Sequence, residues 1–344
     1  TMGCGSSSDC GGCPSQSSGC GGGAPQQPQD LTAPLHELSS VKHVIGVVSG
    51  KGGVGKTTIT ACLGAALSEQ GYRVLLCDGD FGLRDLDIIL GKEDEVCFDA
   101  YNALEDKSMA DDVVMKVQDN LYFLPASQSV RWEDMGRKKY RKLVSHLAKS
   151  YDYVLVDCPA GIGRGLESIV ELAQRFLIVT QPLWVSIRNA ARTIQFCREY
   201  GHRDYAVVFN AVRTDRDMPN MYDMLDALGA EYVGSILPYD TQILDNTQDG
   251  VLIQDMPKAY LHMLAPVVEY ITSGDAWDEQ ELIERFNEVT TVKVTEPSVT
   301  ATLAQPVESD DDNSTNPVIY TNSWSTRNRL LSGKESMWRR VRIK

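Results

Sequence analysis

The residues Gly50-Lys51-Gly52-Gly53-Val54-Gly55-Lys56-Thr57 have the spacing G-x-x-x-x-G-K-[ST] that builds a phosphate cradle. Glycines let backbone N–H groups curl around phosphate oxygens, and a helix starting there points its positive end at them. Lys56 can neutralise phosphate charge, the Thr57 hydroxyl can ligate Mg²⁺, and Thr58 continues the cradle. The chemistry predicted is binding and hydrolysis of a nucleoside triphosphate.

Carboxylates follow at the ends of apolar runs. Val154-Leu155-Val156 leads into Asp157, where an aspartate can hold Mg²⁺ through a water. The run 73–77 leads into Asp78-Gly79-Asp80, placing acids beside the same pocket, where they can order water or metal. Pro159 and Gly161 form a turn that could sense the terminal phosphate, and Asp85 and Asp87 read equally as solvated acids. Asn210 closes the run 205–209, and its amide offers a donor and an acceptor to the edge of a base. Pro238 ends the run 232–237, where a structural turn and a place over the base are alternatives.

These groups need rigid elements to position them. Apolar runs at 44–48, 73–77, 121–124, 153–156, 176–180, 205–209 and 232–237 alternate with helical patterns at 56–70, 133–150, 164–173, 184–200, 218–228, 241–248 and 256–272. Continuous Val/Ile/Leu/Tyr runs are strands covered on both faces, and parallel strands need helical crossovers. The fold predicted is α/β, a doubly wound and mostly parallel sheet of about seven strands flanked by helices, over 41–272. Residues 1–40 are a Cys/Gly/Ser-rich tail whose composition buries too little to order itself. A short acidic helix and linker are expected over 273–326, and a basic amphipathic tail over 327–344.

With Lys51 at its second position, the loop resembles the deviant Walker A motif, KGGVGKT, of the MinD/ParA/Mrp family of P-loop ATPases. The stretch 78–91, DGDFGLRDLDIILG, and the turn 157–161, DCPAG, resemble the two switch segments of that family, most closely its MinD members. The resemblance implies ATP and Mg²⁺ as ligands, with Thr57, Asp78 and Asp157 around the metal. It implies that Asp80 positions the attacking water and that Asn210 and Pro238 lie at the adenine. It further implies that Lys51 reaches the partner's nucleotide in an ATP-dependent homodimer, a simple solvated loop lysine being the plainer alternative.

The tails separate the functions that share such a core. Seven Lys and Arg against the single acid Glu335 mark 327–344, with Met337, Trp338 and Val341 on one side of a helix suited to an anionic membrane surface. The expectation is a MinD-like ATPase that binds the membrane to position the division site or another structure, with an activator and a cargo protein as partners. Cys4, Cys10, Cys13 and Cys20, spaced C-x₅-C-x₂-C-x₆-C, could hold an iron–sulfur cluster or Zn²⁺ and keep open an Mrp-type cluster carrier. A ParA-type partition ATPase ranks last. The net charge of −14 opposes non-specific DNA binding, so DNA is an unlikely partner. With no apolar run of about 18 residues and no signal-peptide core, the expected location is cytoplasmic and reversibly peripheral on the inner face of the cell membrane.

Overall fold

The computed structural model describes residues 43–215 and 219–295. The strands are β1 (His43–Val48), β2 (Val74–Asp78), β3 (Met115–Gln118), β4 (Leu121–Leu124), β5 (Tyr153–Asp157), β6 (Arg175–Thr180), β7 (Tyr205–Val212) and β8 (Val233–Pro238). They form one eight-stranded sheet in the order β3-β4-β2-β5-β1-β6-β7-β8. All neighbours are parallel except β3 and β4. The helices are α1 (Lys56–Glu69), α2 (Leu86–Ile89), α3 (Ala100–Glu105), α4 (Arg137–Leu147), α5 (Arg164–Val170), α6 (Trp184–Glu199), α7 (Met221–Leu228), α8 (Thr241–Gln248), α9 (Lys258–Thr272) and α10 (Glu279–Thr295).

This is the mostly parallel α/β architecture expected, with one strand more than about seven. The extra strand is β3, Met-Lys-Val-Gln, which is only partly buried at the sheet edge and lacks the continuous apolar run that marks the others. It folds back onto β4 through a turn in which Asn120 takes φ 61°, a left-handed conformation that asparagine accepts more readily than most residues. The central strands β2 and β5 are buried at every position, as parallel strands covered on both sides must be. Four of the five cysteines in the described residues, Cys62, Cys77, Cys158 and Cys197, are buried and unpaired, as small core residues.

The parallel arrangement sets the geometry of function. Loops that follow the C-terminal ends of β1, β2, β5, β6, β7 and β8 all emerge along one edge of the sheet, with a crevice beside β1 where the direction of the crossovers reverses, β1 leading to β2 on one side and β5 passing β1 to reach β6 on the other. The cradle, Asp78, Asp157, Asn210 and Pro238 all lie on this edge.

The segment after α9 forms α10. Leu282 and Phe286 are buried, while the Arg285 guanidinium stacks on Trp277 at 4.7 Å and donates to the His262 carbonyl at 2.8 Å. An apolar pair at i and i+4 thus turns a largely acidic helix into part of the packed body. Phe286→Ala should lower stability by about 3–5 kcal/mol through lost burial and the cavity left behind. Denaturant unfolding of the full chain measures this, and a loss below about 1 kcal/mol would mean that α10 is not docked in solution.

Candidate functional site

The cradle begins where β1 ends and α1 starts. Gly50 packs so closely against α6 that a Cβ there would stand 2.2 Å from the Asn189 carbonyl carbon. Gly55 caps α1 at φ 88°, a left-handed conformation, with the Asn210 amide 2.2 Å from where its Cβ would be. These contacts fix the two ends of the loop. Above its middle, at Gly52 and Gly53, nothing lies within 4 Å of a notional Cβ, so that rim is open. Thr57 and Thr58 are half-buried in the first turn of α1, whose N-terminus faces the loop.

Lys56 is buried, with its Nζ 2.5 Å from Asp157 Oδ1. Thr60, one turn further along α1, donates to the same oxygen at 3.2 Å. Burial works against the lysine's charge, but Asp157 outweighs it and the ammonium holds its proton above the ordinary range. Asp78 and Asp157 end β2 and β5 as register partners on adjacent strands. Asp78 accepts from the Asp80 N–H at 2.8 Å and the Leu86 N–H at 3.2 Å. Burial first, and the neighbouring Asp157 second, push its carboxyl up to about 8. Two buried carboxylates thus stand side by side, and one of them, Asp157, holds the Lys56 ammonium.

That donor set fits a divalent cation. Two strand-end carboxylates and the Thr57 hydroxyl are hard oxygen ligands, and Mg²⁺ completes its shell with water and phosphate rather than with a protein cage. Among the described residues no group of three or more His, Cys, Asp and Glu could hold a metal.

Asp80 sits half-buried at the pocket mouth, where burial raises its carboxyl above the usual range against the pull of Lys56. The loop turns immediately, with Leu83 and Arg84 N–H groups donating to the Asp80 carbonyl and Arg84 at φ 56°. Asp87 is buried and paired with Arg84 at 2.6 Å, so it is not a solvated acid, whereas Asp85, the residue just before α2, is exposed. Lys51 is half-buried at the loop and has no acidic partner among the described residues.

Asn210 is brought to the cradle as well, in a specific arrangement. Its Nδ2 donates to the Val54 carbonyl at 2.8 Å, and its Oδ1 accepts from Tyr260 at 3.4 Å. In this structure the amide ties β7 to the phosphate loop. The next residue, Ala211, takes φ 53° where the β7–β8 register shifts, a strained backbone beside a pocket. Pro238 is buried at the end of β8, opposite Val212. Next to it the Arg213 guanidinium stacks on Tyr239 at 4.6 Å.

Sequence reasoning missed Thr60 and Trp132. Thr60 was accessible, being one helical turn from Lys56 on the same face. Trp132 gave no signal, because it reaches the site from the loop before α4. Cys4, Cys10, Cys13, Cys20, Met337, Trp338 and Val341 lie outside the described residues. Among the described residues no helix is long and apolar enough to cross a membrane.

Comparison with known proteins follows the same lines. Residues 40–255 match the ParA family profile described as NUBPL iron-transfer P-loop NTPase. The septum site-determining protein MinD of Synechocystis is 38% identical over 216 residues, covering 61% of this chain and 81% of that protein. The MinC:MinD cell division complex of Aquifex aeolicus superposes with a TM-score of 0.62 at 34% identity, covering 69% of this chain and 97% of that one. MinD of Pyrococcus horikoshii, complexed with Mg-ADP, gives a TM-score of 0.60 at 26% identity, covering 67% and 96%.

Removing the Asn210 amide tests its place in the site. Asn210→Ala leaves the buried Val54 carbonyl without its donor and should cost about 1–3 kcal/mol in denaturant unfolding without nucleotide. Unchanged stability would mean that Asn210 does not brace the loop.

Proposed function

The chain belongs to the ParA family of P-loop NTPases, in its MinD branch, and from that premise we propose a Mg²⁺-dependent ATPase that dimerises on ATP, binds a membrane surface and places the division site. The observation that carries the reading is the buried Lys56–Asp157 pair, 2.5 Å apart, beside Asp78 at the foot of an open glycine cradle. A free lysine–aspartate pair in a core contributes little net stability, whereas here it stores a cation and a carboxylate ready for redirection.

On this reading the phosphates of ATP lie in the cradle and Lys56 turns from Asp157 to the β/γ oxygens. Thr57, Asp78 and Asp157 hold Mg²⁺, which would neutralise charge developing on the phosphates. Asp80, its carboxyl raised above the usual range by burial, orients the water that attacks the γ-phosphorus as the bond to the ADP oxygen breaks. The adenine lies toward Asn210 and Pro238.

Lys51, with no acidic partner of its own among the described residues, serves the nucleotide of a second subunit. Support for a joining face comes from apolar side chains exposed along the same sheet edge. Leu83, Ile162, Leu183, Trp184 and Val185 are all between 51% and 65% exposed. The MinC:MinD complex among the structural neighbours supports a protein cargo of that kind; an activator of hydrolysis is assigned on the family resemblance alone.

The membrane contact is assigned to Met337, Trp338, Val341 and the basic residues around them. Each basic residue near an anionic surface contributes about 1 kcal/mol, so one tail binds marginally and two held in a dimer bind together. Attachment then follows the nucleotide state. A second reading, iron–sulfur cluster carriage, draws on the name of the matching family profile and on the four N-terminal cysteines. A stoichiometric, oxygen-labile iron–sulfur chromophore after anaerobic purification would favour it.

Turnover assays test the catalytic assignments. Lys56→Ala should abolish hydrolysis, while Asp80→Ala should keep ATP binding and lose at least about a hundredfold in kcat. Normal turnover by Asp80→Ala would contradict its role.

Assembly is tested separately. With a non-hydrolysable ATP analogue the wild type should scatter light as a dimer and Lys51→Ala as a monomer. Anionic liposomes should pellet the wild type with ATP but not ADP, and Trp338→Glu with neither. A monomeric wild type, or equal pelleting in all cases, would contradict the dimer or the anchor respectively.

A further inference from the structure

Trp132 is buried between the two loops that flank the terminal phosphate position, although its own segment contributes nothing to the cradle. Its indole Nε1–H donates to the Gly79 carbonyl at 2.7 Å. The Asp80 N–H belongs to the same peptide unit and donates to Asp78 at 2.8 Å. The Gly79–Asp80 peptide plane is therefore held at both ends, by an indole on one side and a carboxylate on the other. Because a peptide is planar, this fixes where the Asp80 Cα stands, and the Leu83 and Arg84 N–H groups, donating to the Asp80 carbonyl, hold the peptide that follows, so the Asp80 side chain is directed from both sides.

The same Nε1 edge of the indole also meets the other loop. A Cβ at Gly165, in the first turn of α5, would stand 2.7 Å from Trp132 Nε1 and 2.4 Å from Pro159 Cγ. The turn 159–165 and Trp132 thus lie together in a cleft of about 220 Å³ lined also by Ile162 and Arg164. Edge-to-face contacts hold the ring in place, with Phe81 at 4.9 Å and Tyr140 at 5.1 Å. Phe81 belongs to the Asp80 loop and Tyr140 to α4. Arg137 and Arg141 of that helix form ion pairs with Glu167 and Glu171 at α5. The indole is thus in contact with both loops and with α4.

We propose that Trp132 is a positioning residue that couples the turn 159–165 to Asp80. A shift of that turn on meeting the terminal phosphate presses on the indole, and the indole carries the shift through its hydrogen bond to the Gly79–Asp80 peptide. Asp80 is then aligned with the attacking water only when a γ-phosphate is present. The inference rests on the proposed role of Asp80 in turnover. It adds a residue from outside both loops that makes their movements one event.

The test uses the full chain in three forms. Trp132→Phe keeps an aromatic ring but removes the N–H, so kcat should fall about tenfold while KM for ATP and affinity for ADP stay within about twofold. The chain has five tryptophans, so the emission of Trp132 is obtained by difference between wild type and this variant. That emission should differ between the Mg-ADP and Mg-ATP-analogue forms. Gly165→Ala retains Trp132 but crowds its indole, and should shift the emission without nucleotide and lower kcat.

A Trp132→Phe kcat within about twofold of wild type would overturn the proposal. So would a Trp132 emission identical in both nucleotide forms and unmoved by Gly165→Ala. If Asp80→Ala turns over normally, the reading of Asp80 fails instead, and coupling between the loops is then judged by the emission alone.

Discussion

Two adjacent buried carboxylates, one of them paired with a buried ammonium, form the constraint on which this structure turns. Asp78 and Asp157 end neighbouring parallel strands in register, both out of water, and the buried Lys56 ammonium pairs with Asp157. A buried ion pair contributes little net stability, and a further buried carboxylate adds cost, which appears directly in the raised Asp78 carboxyl. The surrounding fold must supply the rigidity to keep these groups together. It does so with two strands buried at every position and with a helix, α1, whose first residue is the lysine itself. A ligand that brings negative phosphate to the lysine and positive metal to the carboxylates relieves both conflicts at once.

The same logic explains why function lies on loops while stability lies below them. Every loop at the site hangs from the C-terminal end of a parallel strand, so the strands fix where each loop starts and leave its tip free to respond. Specific contacts join the loops, among them the Gly79 N–H on the Asp157 carbonyl at 2.8 Å and the Gly161 N–H on the Ser49 carbonyl at 3.1 Å. Asn210 ties the cradle to β7, and Trp132 ties the Asp80 loop to the neighbourhood of α5. A rearrangement at one phosphate contact therefore has defined routes to the others. The exposed apolar side chains on the same edge give such a rearrangement a surface on which to act.

Much of this was legible before any coordinates. The seven apolar runs became seven strands because each is buried on both faces, so that composition alone marks them. The cradle and the strand-end acids were legible because phosphate chemistry restricts which residues can stand at which spacing. The edge strand Met115–Gln118 was not legible, since one exposed face mixes polar residues into its pattern. The docking of α10 was only partly so. Leu282, Ile283 and Phe286 were visible as apolar residues, but what they pack on is decided by tertiary contacts with β8 and α9. The internal bonding of Asn210 and the hydrogen bond of Trp132 depend on partners 156 and 53 residues away, a separation that local patterns do not encode.

The central claim is that Lys56, Asp78 and Asp157 are held in this arrangement to bind a metal–nucleotide complex. Calorimetric titration of ADP into the full chain, with Mg²⁺ and with chelator, measures it without requiring turnover. One site per chain is expected, binding at least about tenfold more tightly with Mg²⁺, an advantage that Asp157→Asn should erase. Equal affinity with and without Mg²⁺, or a metal advantage that survives Asp157→Asn, would contradict it.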